Sequence, residues 1–173
     1  QNYMELATAR ANNRKVSATF VPGNLNELLM CFDFARSLPE TNALQNGMRK
    51  KSGKFIMDAE RDGQSEDVCT YVKADLGMMM GGEIGPTGDP LPKPDVLLLD
   101  EPTASLDPDI ADKVRKIVRR VQREKNIGIL YTSHNMRDIE VVCDRVIFLH
   151  KGKVVAEGTP ADIVAKSQQS SLE

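Results

Sequence analysis

The spacing of apolar side chains predicts a succession of short elements in the first half of the chain. Residues 2–12 carry them at helical intervals, and residues 15–20 (KVSATF) alternate as in a strand that stops at Pro22-Gly23. Asn24 precedes Glu27 by three, the capping-box spacing. Leu25, Leu28, Leu29 and Phe32 then recur at helical intervals until Pro39, so a helix is expected there. A further helix is expected over residues 41–61, weakened by Gly47 and Gly53, and Ser65 is placed to cap another over residues 66–79. The texture then changes. Residues 81–94 (GGEIGPTGDPLPKP) hold four glycines and four prolines in fourteen positions, which excludes regular helix and marks a boundary or long loop.

Beyond this stretch the pattern is regular. Residues 96–100 (VLLLD) read as a buried strand. Residues 108–125 read as a helix with Ile110, Val114, Ile117, Val118 and Val121 on one face, basic residues opposite and Asp107 as cap. A strand over 127–132, a helix over 135–143 and a strand over 145–150 follow. Lys151-Gly152 turns the chain into residues 153–157, and Thr159-Pro160 opens a last helix that frays into residues 167–173. Strands alternating with helices predict an α/β fold, a mainly parallel sheet with helical cover. The change of texture divides the chain into segments 1–94 and 95–173.

Composition narrows the class of partner. The 173 residues hold 23 Lys+Arg and 25 Asp+Glu, a net charge of -2, and the two signs nearly cancel within each segment as well. A basic excess is missing, so nucleic acid is not an expected partner. No apolar run approaches the ~18–20 residues of a membrane helix, and no direct span is expected. The chain opens on Gln1 without a charged-then-apolar leader. No signal peptide is therefore expected, and the true N-terminus is expected to lie upstream. Cys31, Cys69 and Cys143 are odd in number and far apart, which predicts a reducing cytoplasm rather than a disulfide framework. Cys31 and Cys143 fall on apolar helix faces and are expected in the core.

Asp100 and Glu101 end the buried strand 96–100, at the edge where open α/β sheets bind their ligands. At such a place one carboxylate can hold Mg²⁺ through water while the other orients or deprotonates a water attacking a terminal phosphate. Glu101-Pro102-Thr103-Ala104-Ser105-Leu106-Asp107-Pro108 follows, then a helix, then Tyr131-Thr132-Ser133-His134 at the next strand end. With Asp144-Arg145-Val146-Ile147-Phe148-Leu149, Lys151-Gly152-Lys153 and Glu157-Gly158-Thr159-Pro160, these motifs closely resemble the second half of an ATP-binding cassette (ABC) transporter ATPase, from the Walker B strand to the switch histidine and beyond. The resemblance covers residues 95–173 without a gap. It implies Asp100 as the magnesium carboxylate, acting through water, and Glu101 as the general base. Ser105 and Asp107 would be nucleotide-contacting residues of the D-loop, and His134 the switch histidine that hydrogen-bonds a γ-phosphate oxygen. It also implies ATP and Mg²⁺ as cofactors, with a second ATPase subunit and a transmembrane permease as partners. The site would then be cytoplasmic, peripheral to the inner membrane face through that permease.

The same resemblance calls for a phosphate loop, Gly-x4-Gly-Lys-Ser/Thr, which the sequence does not contain. Gly47-Met48-Arg49-Lys50-Lys51-Ser52-Gly53-Lys54-Phe55 has one residue too many between its glycines and Phe55 where the magnesium hydroxyl belongs. Met80-Gly81-Gly82-Glu83 imitates the signature loop, but Met80 replaces its serine and Pro86, Pro90, Pro92 and Pro94 forbid the helix that should follow. The ATPase is therefore expected to be incomplete and inactive alone.

Residues 15–94 resemble another family, that of benzoyl-CoA reductase and 2-hydroxyacyl-CoA dehydratase. The likeness rests on FVPGNLNELL after the first strand, on LPETNALQNGMRKKS, and on Asp67-Val68-Cys69-Thr70-Tyr71-Val72-Lys73 leading to Asp75-Leu76-Gly77. It implies Cys69 as a ligand of an iron–sulfur cluster. One thiolate does not hold a [4Fe–4S] cluster, so the cluster is expected to be missing. The chain reads as a chimera whose families change near Leu91-Pro92-Lys93-Pro94-Asp95. The leading expectation is an ABC-type ATP-binding subunit, and the alternative is a fragment of a dehydratase or reductase iron–sulfur subunit.

Overall fold

The computed structural model describes residues 3–19, 26–66, 69–81, 85–89 and 91–167. The chain forms two compact units, Gln1–Leu98 and Leu99–Glu173. Phe20, Pro22-Gly23, Asn24, Leu25, Asp67-Val68, Gly82-Glu83, Pro90 and residues 168–173, which carried expectations above, lie outside the described residues.

The first unit opens with α1 (Tyr3–Thr8), followed by β1 (Val16–Thr19), whose four side chains are all buried. α2 (Asn26–Met30) is much shorter than the helix expected up to Pro39. Its end comes where Asp33 adopts the left-handed region (φ 57°) and Ala35 N–H turns to the Lys15 carbonyl (2.9 Å), starting β2 (Ala35–Ser37). Cys31 thereby falls in a turn and is exposed, not in the core, and its thiol lies 3.3 Å from the Glu27 carbonyl. Pro39 does not end a helix but opens one, α3 (Pro39–Met48), since its ring fixes the backbone angle a first helical turn needs.

The helix expected over 41–61 is two, α3 and α4 (Ser52–Arg61), separated where Lys50 is left-handed at φ 56°. α5 (Thr70–Met80) starts four residues later than expected. β1 lies between β2 and β3 (Val96–Asp100), parallel to both, with Ser17 opposite Arg36 and Val96. Leu6, Ala9, Val16, Ala35, Met78 and Leu91 form the core, with Tyr3 and Phe55 packed against it. α4 and α5 cross so closely that a Cβ on Gly77 would stand 1.9 Å from the Phe55 carbonyl oxygen, so only glycine fits there. The Gly- and Pro-rich stretch contributes no regular element among its described residues, yet Gly85, Pro86 and Leu91 are buried.

The second unit begins on the last residues of β3. It continues through α6 (Pro108–Lys125), β4 (Gly128–Thr132), α7 (Met136–Val142), β5 (Val146–His150), β6 (Lys153–Gly158) and α8 (Pro160–Ser167). β4 neighbours β3, whereas β5 and β6 form an antiparallel ribbon with an irregularity between Phe148 and Leu149. α6 buries Ala111, Arg115 and Val118 but leaves Ile110 and Ile117 exposed. Asp107 stands at its N-cap, although its side chain caps nothing and only its carbonyl accepts the Ala111 N–H (2.9 Å). α8 has a reciprocal cap: Thr159 Oγ1 accepts the Asp162 N–H (3.1 Å), and the Asp162 carboxylate accepts the Thr159 N–H (3.2 Å). Ile139, Val146 and Ile163 form a small core with Cys143 and Phe148 against it.

Candidate functional site

β3 is apolar until its last residue, with Leu98 buried and Val96, Leu97 and Leu99 half-buried, and it ends on the exposed Asp100 carboxylate. The Thr132 hydroxyl, on β4, donates to Asp100 Oδ1. One residue on, Glu101 leaves the strand in the left-handed region at φ 46°, and its N–H donates to the Thr132 carbonyl at 3.0 Å. This non-glycine residue with positive φ turns the side chain toward the loop that ends β4.

Two donors from that loop converge on the Glu101 carboxylate, and the His134 ring lies against it. Oε1 accepts the His134 backbone N–H at 2.8 Å and faces the His134 imidazole Nδ1 at 2.8 Å, while Oε2 lies 3.3 Å from the Ser133 hydroxyl. An ionised carboxylate only accepts, so this approach favours the tautomer with the proton on Nδ1. His134 is 83% exposed and Glu101 33%, so the pair is open to solvent. Asp100, Glu101 and His134, singled out from the sequence, are thus linked through residues 132–134. Ser105 and Asp107 stand apart in the exposed stretch 104–107, where Ser105 has φ 62°.

Beneath the pair lies a buried polar cluster that the sequence motifs did not reveal. Asp138 on α7 is fully buried, and its Oδ1 accepts from Arg115 Nε at 2.7 Å. Its Oδ2 accepts from the Thr103 hydroxyl and from the Tyr131 hydroxyl (3.0 Å), and lies 3.4 Å from Ser133 Oγ. Burial pushes the Asp138 carboxyl upward, but Thr103, Arg115 and Tyr131 outweigh that and hold it below the usual carboxylate range. The Tyr131 phenol is pushed up to about 12, chiefly by burial and then by the Asp138 charge. A signal for the pair was present: Asp138 sits on the face of α7 that holds Ile139 and Val142, and Arg115 on the face of α6 that holds Ala111 and Val118. Opposite charges on two apolar helix faces predict a buried ion pair.

Cys69 stands at the N-cap of α5, exposed, with a free thiol, and Cys143 is half-buried. Burial raises the Cys143 thiol. Among the described residues no group of three or more His, Cys, Asp or Glu side chains comes together to hold a metal ion. The Gly47–Phe55 stretch runs from the end of α3 across the turn at Lys50 into α4, a helix-to-helix junction rather than the strand-to-helix turn of a phosphate loop. No helix among the described residues is long and apolar enough to cross a membrane.

Comparison with known proteins returns both resemblances. The family model "AAA domain, putative AbiEii toxin, Type IV TA system" matches residues 88–137, from the Gly- and Pro-rich stretch to the start of α7. The chain is 65% identical over 98 residues to a benzoyl-CoA reductase subunit of Thauera aromatica, covering 57% of this chain and 23% of that protein. It is 39% identical over 71 residues to the energy-coupling factor transporter ATP-binding protein EcfA2 of Clostridium tetani, covering 41% of this chain and 25% of that one. Methionine import ATP-binding protein MetN 1 of Shouchella clausii is 28% identical across 99% of this chain and 50% of its own length. A solved structure, cbiO1 of Clostridium perfringens, described as part of the ABC transporter complex cbiONQ, aligns with a TM-score of 0.46 at 18% identity, over 89% of this chain and 80% of that one. The chain is thus similar to ABC transporter ATP-binding proteins along its length and to a benzoyl-CoA reductase subunit along part of it. It spans between about a quarter and a half of these curated relatives' lengths.

Proposed function

We propose that residues 95–173 form the hydrolytic half of an ABC-type ATP site, joined to a segment, residues 1–94, of benzoyl-CoA reductase or 2-hydroxyacyl-CoA dehydratase type. The observation that carries this reading is the convergence of Ser133 and His134 on the Glu101 carboxylate beside Asp100. Asp100 is an exposed hard-oxygen donor at a strand end, which suits Mg²⁺ held through water; the ion would supply charge to neutralise phosphate oxygens. Glu101 Oε2 keeps a lone pair beside the Ser133 contact and can accept a proton from an attacking water. His134 Nε2 faces away from Glu101 and is left to a phosphate oxygen, to which it donates when it carries a proton. Ser105 and Asp107, on the exposed turn, suit a role toward a second copy of such a site. The partners on this reading are a second ATPase subunit and a membrane permease, with the chain on the cytoplasmic side.

The sequence supplies no phosphate loop, so the site is incomplete and the isolated chain hydrolyses no ATP. The test is phosphate release by purified protein with Mg-ATP. No turnover is expected; turnover that disappears in Glu101→Gln would overturn the incompleteness. The second reading, a fragment of the reductase subunit, draws on the 65% identity over 98 residues. The chain has three cysteines, too few to hold a [4Fe–4S] cluster with four thiolates, so its residues do not fit the group and no chemistry is derived through it. Iron and sulfide analysis of anaerobically purified protein should find neither in stoichiometric amount.

A further inference from the structure

We propose that Asp138 is the positioning residue of the Glu101–His134 pair, acting through the single proton of Ser133. The inference rests on the reading of Glu101 as the base of this site, and it starts from a competition. Ser133 Oγ accepts the Asn135 N–H at 3.1 Å, and it lies between two carboxylates, 3.3 Å from Glu101 Oε2 and 3.4 Å from Asp138 Oδ2. A serine hydroxyl has one proton and can serve only one of them. Asp138 Oδ2 already takes the Thr103 and Tyr131 protons, which fill its two lone pairs, and Oδ1 is held by Arg115. The Ser133 proton is therefore left for Glu101, and the carboxylate is fixed at both oxygens rather than at one.

The same residue holds both chain segments that form the pair. Thr103 lies two residues after Glu101, and Ser133 immediately before His134, so the Asp138 cluster ties the left-handed turn at Glu101 to the end of β4. Asp138 and Arg115 are buried at 0% and 5% exposure, and a group with no access to solvent can act on the exposed pair only by such positioning.

The test reads the His134 tautomer by nitrogen-15 NMR on the full chain, at a pH where the ring is neutral. Wild-type protein is expected to hold the Nδ1–H form, donated to Glu101, and Glu101→Ala to revert to the Nε2–H form that a free imidazole prefers. Ser133→Ala and Asp138→Asn should each raise the Nε2–H population several-fold. Exchange of the His134 amide should accelerate by a similar factor, while the methyl signals of Ile139, Val146 and Ile163 stay as in wild type. Thr103→Ser keeps the hydroxyl and should keep the wild-type tautomer, which a role in packing alone would not predict. If Asp138→Asn does not fold, Ser133→Ala carries the test. A folded Ser133→Ala protein with wild-type tautomer and amide exchange overturns the proposal. None of these readouts needs nucleotide, so turnover of Mg-ATP that is lost in Glu101→Gln would overturn the incompleteness of the site and leave the positioning role to be judged on the tautomer.

Discussion

Asp75 is a carboxyl in the wrong place for a charge. It is 6% exposed on α5, with Asn42 Nδ2 donating to it at 3.2 Å, and Asn42 in turn accepts the Tyr3 hydroxyl at 3.1 Å. Burial pushes its pKa from 3.8 to about 6, against the smaller opposing effect of Asn42. The folded protein therefore binds this proton more tightly than the unfolded chain. Stability falls as pH rises from about 4 to about 6, and the penalty is fully present above that window. A displacement of that size is equivalent to about 3 kcal/mol, a sizeable part of a small domain's ~5–15 kcal/mol. Asp75→Asn abolishes the ionisation while keeping an oxygen for Asn42, so its unfolding free energy should be flat across the window. Urea unfolding at several pH values, followed by the Tyr3 ring signals, measures both slopes. Asp95 and Asp138, whose carboxyls are held low, lose their contribution only as pH falls below the ordinary carboxylate range, so they do not mask the effect. A wild-type slope retained in Asp75→Asn, or wild-type stability that rises from pH 4 to 6, would refute the reasoning.

Gly77→Ala puts a methyl 1.9 Å from the Phe55 carbonyl oxygen and must force α4 from α5, at a cost of about 1–3 kcal/mol or more in urea unfolding; a neutral outcome would mean that the helices do not cross as described. Arg115→Met removes the cation from fully buried Asp138 and should cost about 3–5 kcal/mol, read as a lowered denaturation midpoint of the second unit. Leu149 and Val154 pair across the β5–β6 ribbon at 70% and 58% exposure. That exposed apolar pair should make the chain self-associate in sedimentation experiments, and Leu149→Lys with Val154→Thr should reduce the association without lowering stability.

The sequence was most informative where one period ran unbroken. The span of α6, the continuous apolar run of β3 and the Thr159-Pro160 opening of α8 all have local causes and appear close to their expected places, although α6 buries Ala111, Arg115 and Val118 and leaves Ile110 and Ile117 of its expected stripe exposed. The first unit was harder to read because its breaks depend on single backbone conformations. Asp33 and Lys50 take positive φ although neither is glycine, and nothing in a hydrophobic pattern marks an aspartate or lysine for that role. Pro39 is ambiguous in principle, since the same ring that ends one helix suits the first turn of the next. The close crossing at Gly77 is also silent in sequence: a helical glycine lowers helix propensity, and only the path of the neighbouring helix reveals why it is needed.

At the candidate site Asp100, Glu101 and His134 were legible and the residues packed beneath them were not. Asp100, Glu101 and His134 stand at strand ends within recognisable motifs. Thr103, Arg115, Tyr131, Ser133 and Asp138 come from four separate stretches, and each alone reads as an ordinary turn, helix or strand residue. Beyond the Arg115–Asp138 pair, their relation emerges only when α6 and α7 are packed, because burial is what turns a common aspartate into a fixed acceptor. A charge with no solvent must fill its lone pairs from protein donors, and here it draws them from the turn after Glu101, from β4 and from α6. That requirement makes the cluster intolerant of loss at any one member. An exposed pair such as Glu101–His134, open to water at its rim, can change partners when a ligand arrives. The division between a saturated buried acceptor and a partly open exposed one follows from solvent access alone, and on the proposed reading it would leave the second for chemistry and the first to hold it in place.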